Sequence, residues 1–424
     1  MTRGKKNTKS EPIMRSAVLF VNFFLIITAL YQLKPASRSL ILDVMNVSEL
    51  PYVWIGSALT LFIFIAGYHR LLQRFKRENI VLGTALLFSA ILIAFRFVFD
   101  LGGIITATAL YIFVDIFGVV MVEQFWSLAN SIYSSRDGKK WYGIVGTGGL
   151  LGGVAGSGIA ALLIKYTPVT TPDLLLVAAG IVVSIAGLTL LMRQLGLYQT
   201  LETPGPSLLK TNHSNMFGLF RNNHYLFLIA AALLMAQLIS PVVDYLFMQS
   251  VAENYPDREA RTAVLSLFFS ALSAISIAVN VIATPIILNV FGILTGLMVQ
   301  PLVIAATTFG FGLYPGFVSA AVMKISDRGL AYSLTRATRE LLYIPVDTLL
   351  MYQAKAWIDM FGYRTFKMLG AVFILVILQW SPIDQNILPL NLIVILACAI
   401  WMGILFVLHR HYLHKVSSTN MQQT

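Results

Sequence analysis

The chain has 424 residues, of which 57% are hydrophobic and only 12% charged, with a mean hydropathy of +0.77. A soluble protein carries about 25% charged residues, so these figures exclude a water-soluble globular fold and leave a polytopic membrane protein. The net charge of +11 would suit a nucleic-acid binder if it were clustered, and the single cysteine, Cys398, rules out an intramolecular disulfide or a cysteine-based metal site.

A membrane-crossing helix needs about 20 consecutive apolar residues. The first such run, 14–34, follows a basic start, "MTRGKKNTKSEPIMR". It has no small-residue cleavage site and is long enough to span, so it reads as a retained helix and not a removed signal peptide. Further spans are expected at 52–69, 80–99, 103–130, 143–164 and 171–192. The polar stretch 193–223 then interrupts the pattern. Beyond it lie 224–248, 263–289, 293–313, 316–341, 366–380 and 389–409, the eleventh being preceded by an amphipathic connector at 342–365. The expected architecture is all-α, with twelve transmembrane helices in two pseudo-symmetric six-helix bundles. The N-terminal bundle covers 1–192, the linker 193–223, and the C-terminal bundle with its tail 224–424.

The positive charge follows the loops. With the N-terminus inside, the cytoplasmic segments hold 22 Lys and Arg residues, among them Arg74, Lys76, Arg77, Lys139, Lys140, Arg193, Arg364 and Lys367. The outer side holds only six: Lys34, Arg38, Arg96, Lys165, Arg258 and Arg261. This bias places both termini in the cytoplasm. The net charge is thus a topology signal, and no nucleic-acid partner is expected.

Ionisable residues inside spans are costly, and mark function by default. They are Asp115 and Glu123 in the fourth span, Asp244 in the seventh, and Lys324, Asp327 and Arg328 in the tenth, with Lys34 and Arg38 at the outer end of the first. These four spans occupy equivalent positions if each bundle is taken in threes, the helices that meet at a central cavity in two-half transporters. Pro35 follows Lys34 and Pro241 precedes Asp244, so helix breakers free backbone groups beside two of the charges. The competing reading is that the charges only lock helices together: Lys324 sits at helical spacing from Asp327 and Arg328, and Asp244 could neutralise Lys34.

Other motifs are weaker. "GIVGTGGLLGGVAGSG", from Gly143 to Gly158, lacks the spacing of a dinucleotide fingerprint, and no Lys-Ser or Lys-Thr follows for a phosphate loop. The pairs Gly148–Gly152, Gly149–Gly153 and Gly152–Gly156 recur every four residues, the signature of a helix-packing seam. His409, His411 and His414 read as a solvated basic helix end rather than a metal site, and no Gly-x-Ser-x-Gly signature of hydrolysis is present. Trp126, Tyr332 and Trp357 read as packing or interfacial aromatics.

Two segments carry a family resemblance. "FWSLANSIYSSRDGKKWYGIVGTGG" resembles the signature of the bacterial and plastid ATP/ADP translocases, where FW-x-x-AN precedes a charged turn before the fifth helix. "YSLTRATRELLYIPVDTLLMYQAKAWIDMFGYRTFK" is similar to a second family segment, through Tyr332, Ser333, Leu334, Thr338, Arg339, Glu340, Tyr343, Ile344, Pro345 and Asp347, and again through Lys355, Ala356, Ile358, Asp359, Gly362, Arg364 and Lys367. Lys34 matches the family's first-helix lysine, Asp244 stands for its glutamate in the seventh helix, and Asp115 falls near its acidic position in the fourth. Met248 replaces a family lysine, and Arg336 stands where the family often has aspartate.

The resemblance implies a major-facilitator-like fold and exchange of ATP for ADP or related nucleotides, with no cofactor and no metal. The expectation is therefore a secondary transporter of the cytoplasmic membrane working by alternating access, a monomer in the lipid bilayer whose partner is a small-molecule substrate, a nucleotide or another organic anion. Lys34, Arg38, Lys324 and Arg328 would bind substrate, and Asp115, Glu123, Asp244 and Asp327 would gate or carry protons. The alternative is a proton-coupled transporter of another metabolite, lipid or drug. A non-transporting scaffold is a third class, and an intramembrane enzyme lacks any paired catalytic signature.

Overall fold

The computed structural model describes residues 10–133, 135–197, 218, 220–221, 223–380 and 388–421, and nearly all of them are helical. Most of the expected linker 193–223 lies outside the described residues, as do the terminal cations Arg3, Lys5, Lys6 and Lys9. The helices are α1 (Ser10–Leu42), α2 (Leu50–Arg74), α3 (Arg77–Ile132), α4 (Ser135–Tyr166), α5 (Leu174–Gln194), α6 (His224–Asn254) and α7 (Arg258–Ala278). They continue with α8 (Gly292–Leu313), α9 (Phe317–Leu330), α10 (Arg336–Leu342), α11 (Thr348–Trp357), α12 (Tyr363–Trp380) and α13 (Leu388–Met421).

Among the described residues, ten helical stretches are long and apolar enough to cross a membrane. One of them, Arg258–Leu313, runs for 56 residues and contains two of the expected spans. They part at Gly292, whose φ of 79° only glycine adopts without strain. The tenth expected span is not among the ten. Its polar stretch forms the 14-residue α9, followed by a widened π turn at Ala331–Thr335. The third and fourth expected spans share α3, which kinks at Gly103 with φ 49° and ψ −136°. That backbone region belongs essentially to glycine, and a side chain held there costs of order 1–3 kcal/mol. A Cβ at Gly103 would meet nothing within 4 Å, so the whole cost is backbone strain. Gly103→Ala should lower stability by about 2 kcal/mol in detergent thermal unfolding. The control Gly83→Ala, also in α3 and with open space around it, should leave the melting temperature unchanged.

The chain forms two compact units. The first comprises Met1–Asn46, Leu59–Gly205 and Tyr255–Ala274, and the second Val47–Ala58, Pro206–Asn254 and Ile275–Thr424. Helix α7 is therefore divided: residues 258–274 belong to the first unit, and the helix continues into the second at Ile275.

In the first unit, α1 packs along α4 through the glycine stripe. A Cβ on Gly148 would lie 2.5 Å from the Phe20 carbonyl oxygen, one on Gly152 2.5 Å from that of Phe24, and one on Gly156 against the backbone of Thr28. The contacts advance one turn at a time on both helices, so the seam expected from the sequence exists and its partner is α1. The seam also resolves a local problem. Pro35 has no N–H to give the Tyr31 carbonyl one turn earlier, and the buried Ser157 hydroxyl of α4 donates to that carbonyl instead, at 3.0 Å. In the second unit Gly370 has the same part on α12: a Cβ there would lie 2.7 Å from the Leu238 carbonyl and 2.9 Å from the Pro241 ring of α6.

Candidate functional site

Apart from Glu123, the ionisable residues singled out within the spans fall into one group in each unit. In the second unit, α6 presents Ser240 and Asp244 four residues apart, and α9 presents Lys324, Asp327 and Arg328 at spacings of three and four. Both spacings put the side chains on one helix face. Lys324 Nζ lies 2.5 Å from Asp244 Oδ1 and 3.3 Å from Asp327 Oδ2. The Arg328 guanidinium lies 3.2 Å from Asp244 Oδ2 and 3.4 Å from Asp327 Oδ2. Each carboxylate thus bridges both cations, and the four charges cancel.

The two carboxylates differ in their surroundings. Asp327, 4% exposed, also accepts from the Ser240 hydroxyl at 2.7 Å. Its backbone carbonyl accepts from Gln300 Nε2 at 3.1 Å, while Gln300 Oε1 accepts from Thr335 at 2.6 Å. Asp244 has no such buttress and is 25% exposed, with Arg328 at 21%. A neutral quartet is the arrangement that lets charges survive burial, because an unbalanced ion in a low-dielectric interior is strongly unfavourable. Its more exposed edge is Asp244 with Arg328. Both Asp244 oxygens are engaged by Lys324 and Arg328, and Lys324 also forms the pair with Asp327 that its helical spacing allowed.

In the first unit, Lys34 Nζ lies 4.6 Å from the Tyr31 ring centre. One turn further along α1, the Arg38 guanidinium lies 5.2 Å from the Tyr111 ring of α3 and 5.8 Å from the Phe269 ring of α7. Its ion pair with Asp115 is loose, at 4.0 Å. The Arg38 guanidinium also donates to the Lys34 carbonyl at 3.3 Å and to the Ser37 hydroxyl at 3.4 Å. Glu123 stands apart from this cluster: it is exposed and lies eight residues beyond Asp115 on α3.

The segments that carried the family resemblance sit elsewhere. Asp347 caps α11, accepting from the backbone N–H groups of Leu349 and Leu350. Arg339 pairs with Asp359 at 2.7 Å and donates to the Tyr363 hydroxyl, and Lys355 pairs with Glu340. These contacts hold α10, α11 and the start of α12 together. At the end of α3, Trp126 packs edge-on against Phe125, Phe23 and Tyr142, and Tyr142 donates to Asn130 at 2.6 Å. The signature residues therefore build connectors, while the clusters of charge are built by residues the motifs do not contain.

Residues 103–326 and 316–412 match the family model described as the TLC ATP/ADP transporter. The chain belongs to the TLC ATP/ADP transporter family. Among relatives of this family member, ADP,ATP carrier protein 3 of Rickettsia bellii is 23% identical over 356 residues, 72% of this chain and 70% of the relative. The protein of the same name from Rickettsia felis is 22% identical over 368 residues, 75% and 73% of the two chains. Solved structures give the fold. The nucleoside transporter NupG superposes with a TM-score of 0.64 at 14% identity, covering 94% of this chain and 98% of its own. A bacterial homologue of the iron transporter ferroportin does so with a TM-score of 0.63 at 12% identity, covering 93% and 98%. The TLC-family chain thus has a major-facilitator-like, all-helical membrane fold.

The sequence missed Ser240, Gln300, Thr335, Tyr111 and Phe269. Ser240 and Gln300 each precede a proline within a span, Pro241 and Pro301, which is the available signal. The two aromatics carry none. Arg261 was read as a loop cation, yet it is 3% exposed and fully engaged by backbone carbonyls.

Proposed function

We propose that this protein is a secondary transporter that exchanges ATP for ADP, or a related organic anion, by alternating access. The observation that carries the reading is the pair of intramembrane charge clusters, each with two cations, in a chain of the TLC ATP/ADP transporter family whose relatives are ADP,ATP carriers. Nucleotide phosphates need compact, charge-assisted donors, and Lys34 and Arg38 in one unit and Lys324 and Arg328 in the other supply them. Asp244 is the exchangeable counter-charge: with no substrate it neutralises Lys324 and Arg328, and bound phosphate releases it. A carrier that must keep its cations neutral in both states is suited to exchange, because an emptied site re-forms its internal ion pairs. Asp115 has the same relation to Arg38. Asp327, held by Ser240, positions the two cations. The protein would act as a monomer in the inner membrane with both termini cytoplasmic, as the charge bias of the loops supports.

Lys34→Gln should reduce exchange of labelled ATP into ADP-loaded liposomes at least tenfold without lowering thermal stability, and unchanged exchange would refute the assignment of Lys34. One observation favours a second reading, proton-coupled transport of another solute: Glu123 is an exposed carboxylate within the span Gly102–Ile132. An imposed pH gradient separates the two. Nucleotide exchange should proceed without it, whereas a proton-coupled carrier would need it and would lose activity in Glu123→Gln.

A further inference from the structure

Helix α7 carries Phe269 to Arg38 and is pinned into the first unit by polar contacts at its start. Arg261 donates to three backbone carbonyls: Ser39 at 3.0 Å, Tyr255 at 2.9 Å and Pro256 at 2.5 Å. The Ser39 hydroxyl donates back to the Arg258 carbonyl at 2.9 Å. Glu259 accepts from both the backbone N–H and the hydroxyl of Thr171, at 2.9 and 2.6 Å, and the Thr171 and Thr262 hydroxyls lie 2.7 Å apart. Thr171 opens the short turn Thr171–Asp173, which Arg96 fixes through Asp173 at 2.6 Å. Lower on the helix, Ser270 donates to the Val154 carbonyl of α4 at 3.0 Å.

Glu259, Thr262, Phe269, Ser270 and Ser273 recur at spacings that keep them near one side of α7. The result is that Phe269 is set edge-on to Tyr31, 6.2 Å between ring centres, and against the Arg38 guanidinium. Tyr111 approaches the same guanidinium from α3. A guanidinium in contact with two rings, and bonded to the Lys34 carbonyl and the Ser37 hydroxyl, loses rotamer freedom.

We propose that Phe269 is a positioning residue for Arg38, holding its guanidinium between the Phe269 and Tyr111 rings in the orientation that receives the substrate's phosphate. The contacts of Glu259, Arg261 and Thr262 are the latch that delivers the ring. The phosphate part of this proposal rests on the nucleotide-exchange reading above; the link between Phe269 and Arg38 does not.

The test is a double-mutant cycle on the full-length protein with Phe269→Leu, Arg38→Gln and the pair, read in two ways. In liposomes exchanging labelled ATP, Phe269→Leu should raise KM about fivefold with kcat changed less than about twofold, and Phe269→Tyr, which keeps the ring face, should restore the wild-type KM. In the Arg38→Gln background Phe269→Leu should add nothing. In detergent, without nucleotide, Phe269→Leu should lower the melting temperature by about 2–4 °C more when residue 38 is Arg than when it is Gln. A purely packing role predicts equal effects in both backgrounds and no rescue specific to the aromatic ring, and either result overturns the proposal. If the wild-type protein exchanges no ATP, the nucleotide reading falls while the thermal cycle still decides whether Phe269 and Arg38 are coupled.

Discussion

Lys324→Met is expected to destabilise the protein by about 3–5 kcal/mol, the range for removing one partner of a buried ion pair. The same change should reduce exchange by roughly a hundredfold or more, equivalent to about 3 kcal/mol of lost stabilisation. The reason lies in the balance of the quartet. Lys324, 4% exposed, is the cation closest to Asp244 and also contacts Asp327. Without it, two carboxylates share only Arg328, and a net negative charge remains in the membrane interior. The double variant Lys324→Met/Asp244→Asn leaves Arg328 with Asp327, a balanced pair, so most of the stability should return while transport stays lost. Thermal unfolding in detergent and exchange in liposomes check the two halves separately. A single variant as stable as wild type would show that the quartet is not a buried neutral unit. A double variant that transports would remove Lys324 from the substrate's path.

Gly152→Val is the second large expected effect. Its Cβ would meet the Phe24 carbonyl oxygen, a backbone atom that cannot turn aside, and the adjacent Ile27 side chain lies within 3.2 Å. Overpacking of a core typically costs about 1–3 kcal/mol; with backbone as the obstacle, about 3 kcal/mol or more is expected. Gly156→Val should behave alike against Thr28, while Gly146→Ala, where nothing lies within 4 Å, should be neutral. The loss should reach function as well as stability, because α1 carries Lys34 and Arg38 and a displaced α1 moves both. Thermal unfolding of the three variants decides this, and a stable Gly152→Val protein would contradict the seam.

Much of this was legible in the sequence because burial in lipid constrains composition so strongly. Apolar runs, the charges within them and the glycine period are local patterns, and the seam on α4 follows from that period alone. The identity of its partner, α1, does not: Phe20, Phe24 and Thr28 show no complementary pattern, since they contribute backbone. The charged residues were visible individually, but their pairing was not. Nothing local shows that Asp244 meets both Lys324 and Arg328; that depends on which face α6 turns towards α9. The Arg38 cluster was less legible still, because Phe269 reaches it from a helix more than 200 residues away. Arg261 misled for the opposite reason: a cation beside a turn resembles a solvated loop charge until its guanidinium is seen bound to three carbonyls. The family signatures identified the chain through connector residues such as Arg339, Asp347 and Asp359, whose packing roles are distinct from the charge clusters.

Counter-exchange in liposomes reads out nucleotide exchange. Purified protein should take up labelled ATP into vesicles loaded with ADP, with little uptake into empty vesicles and no requirement for a pH gradient. Uptake that ignores the internal nucleotide and follows an imposed proton gradient, or ADP-loaded vesicles that take up no ATP while the protein is folded, would contradict it.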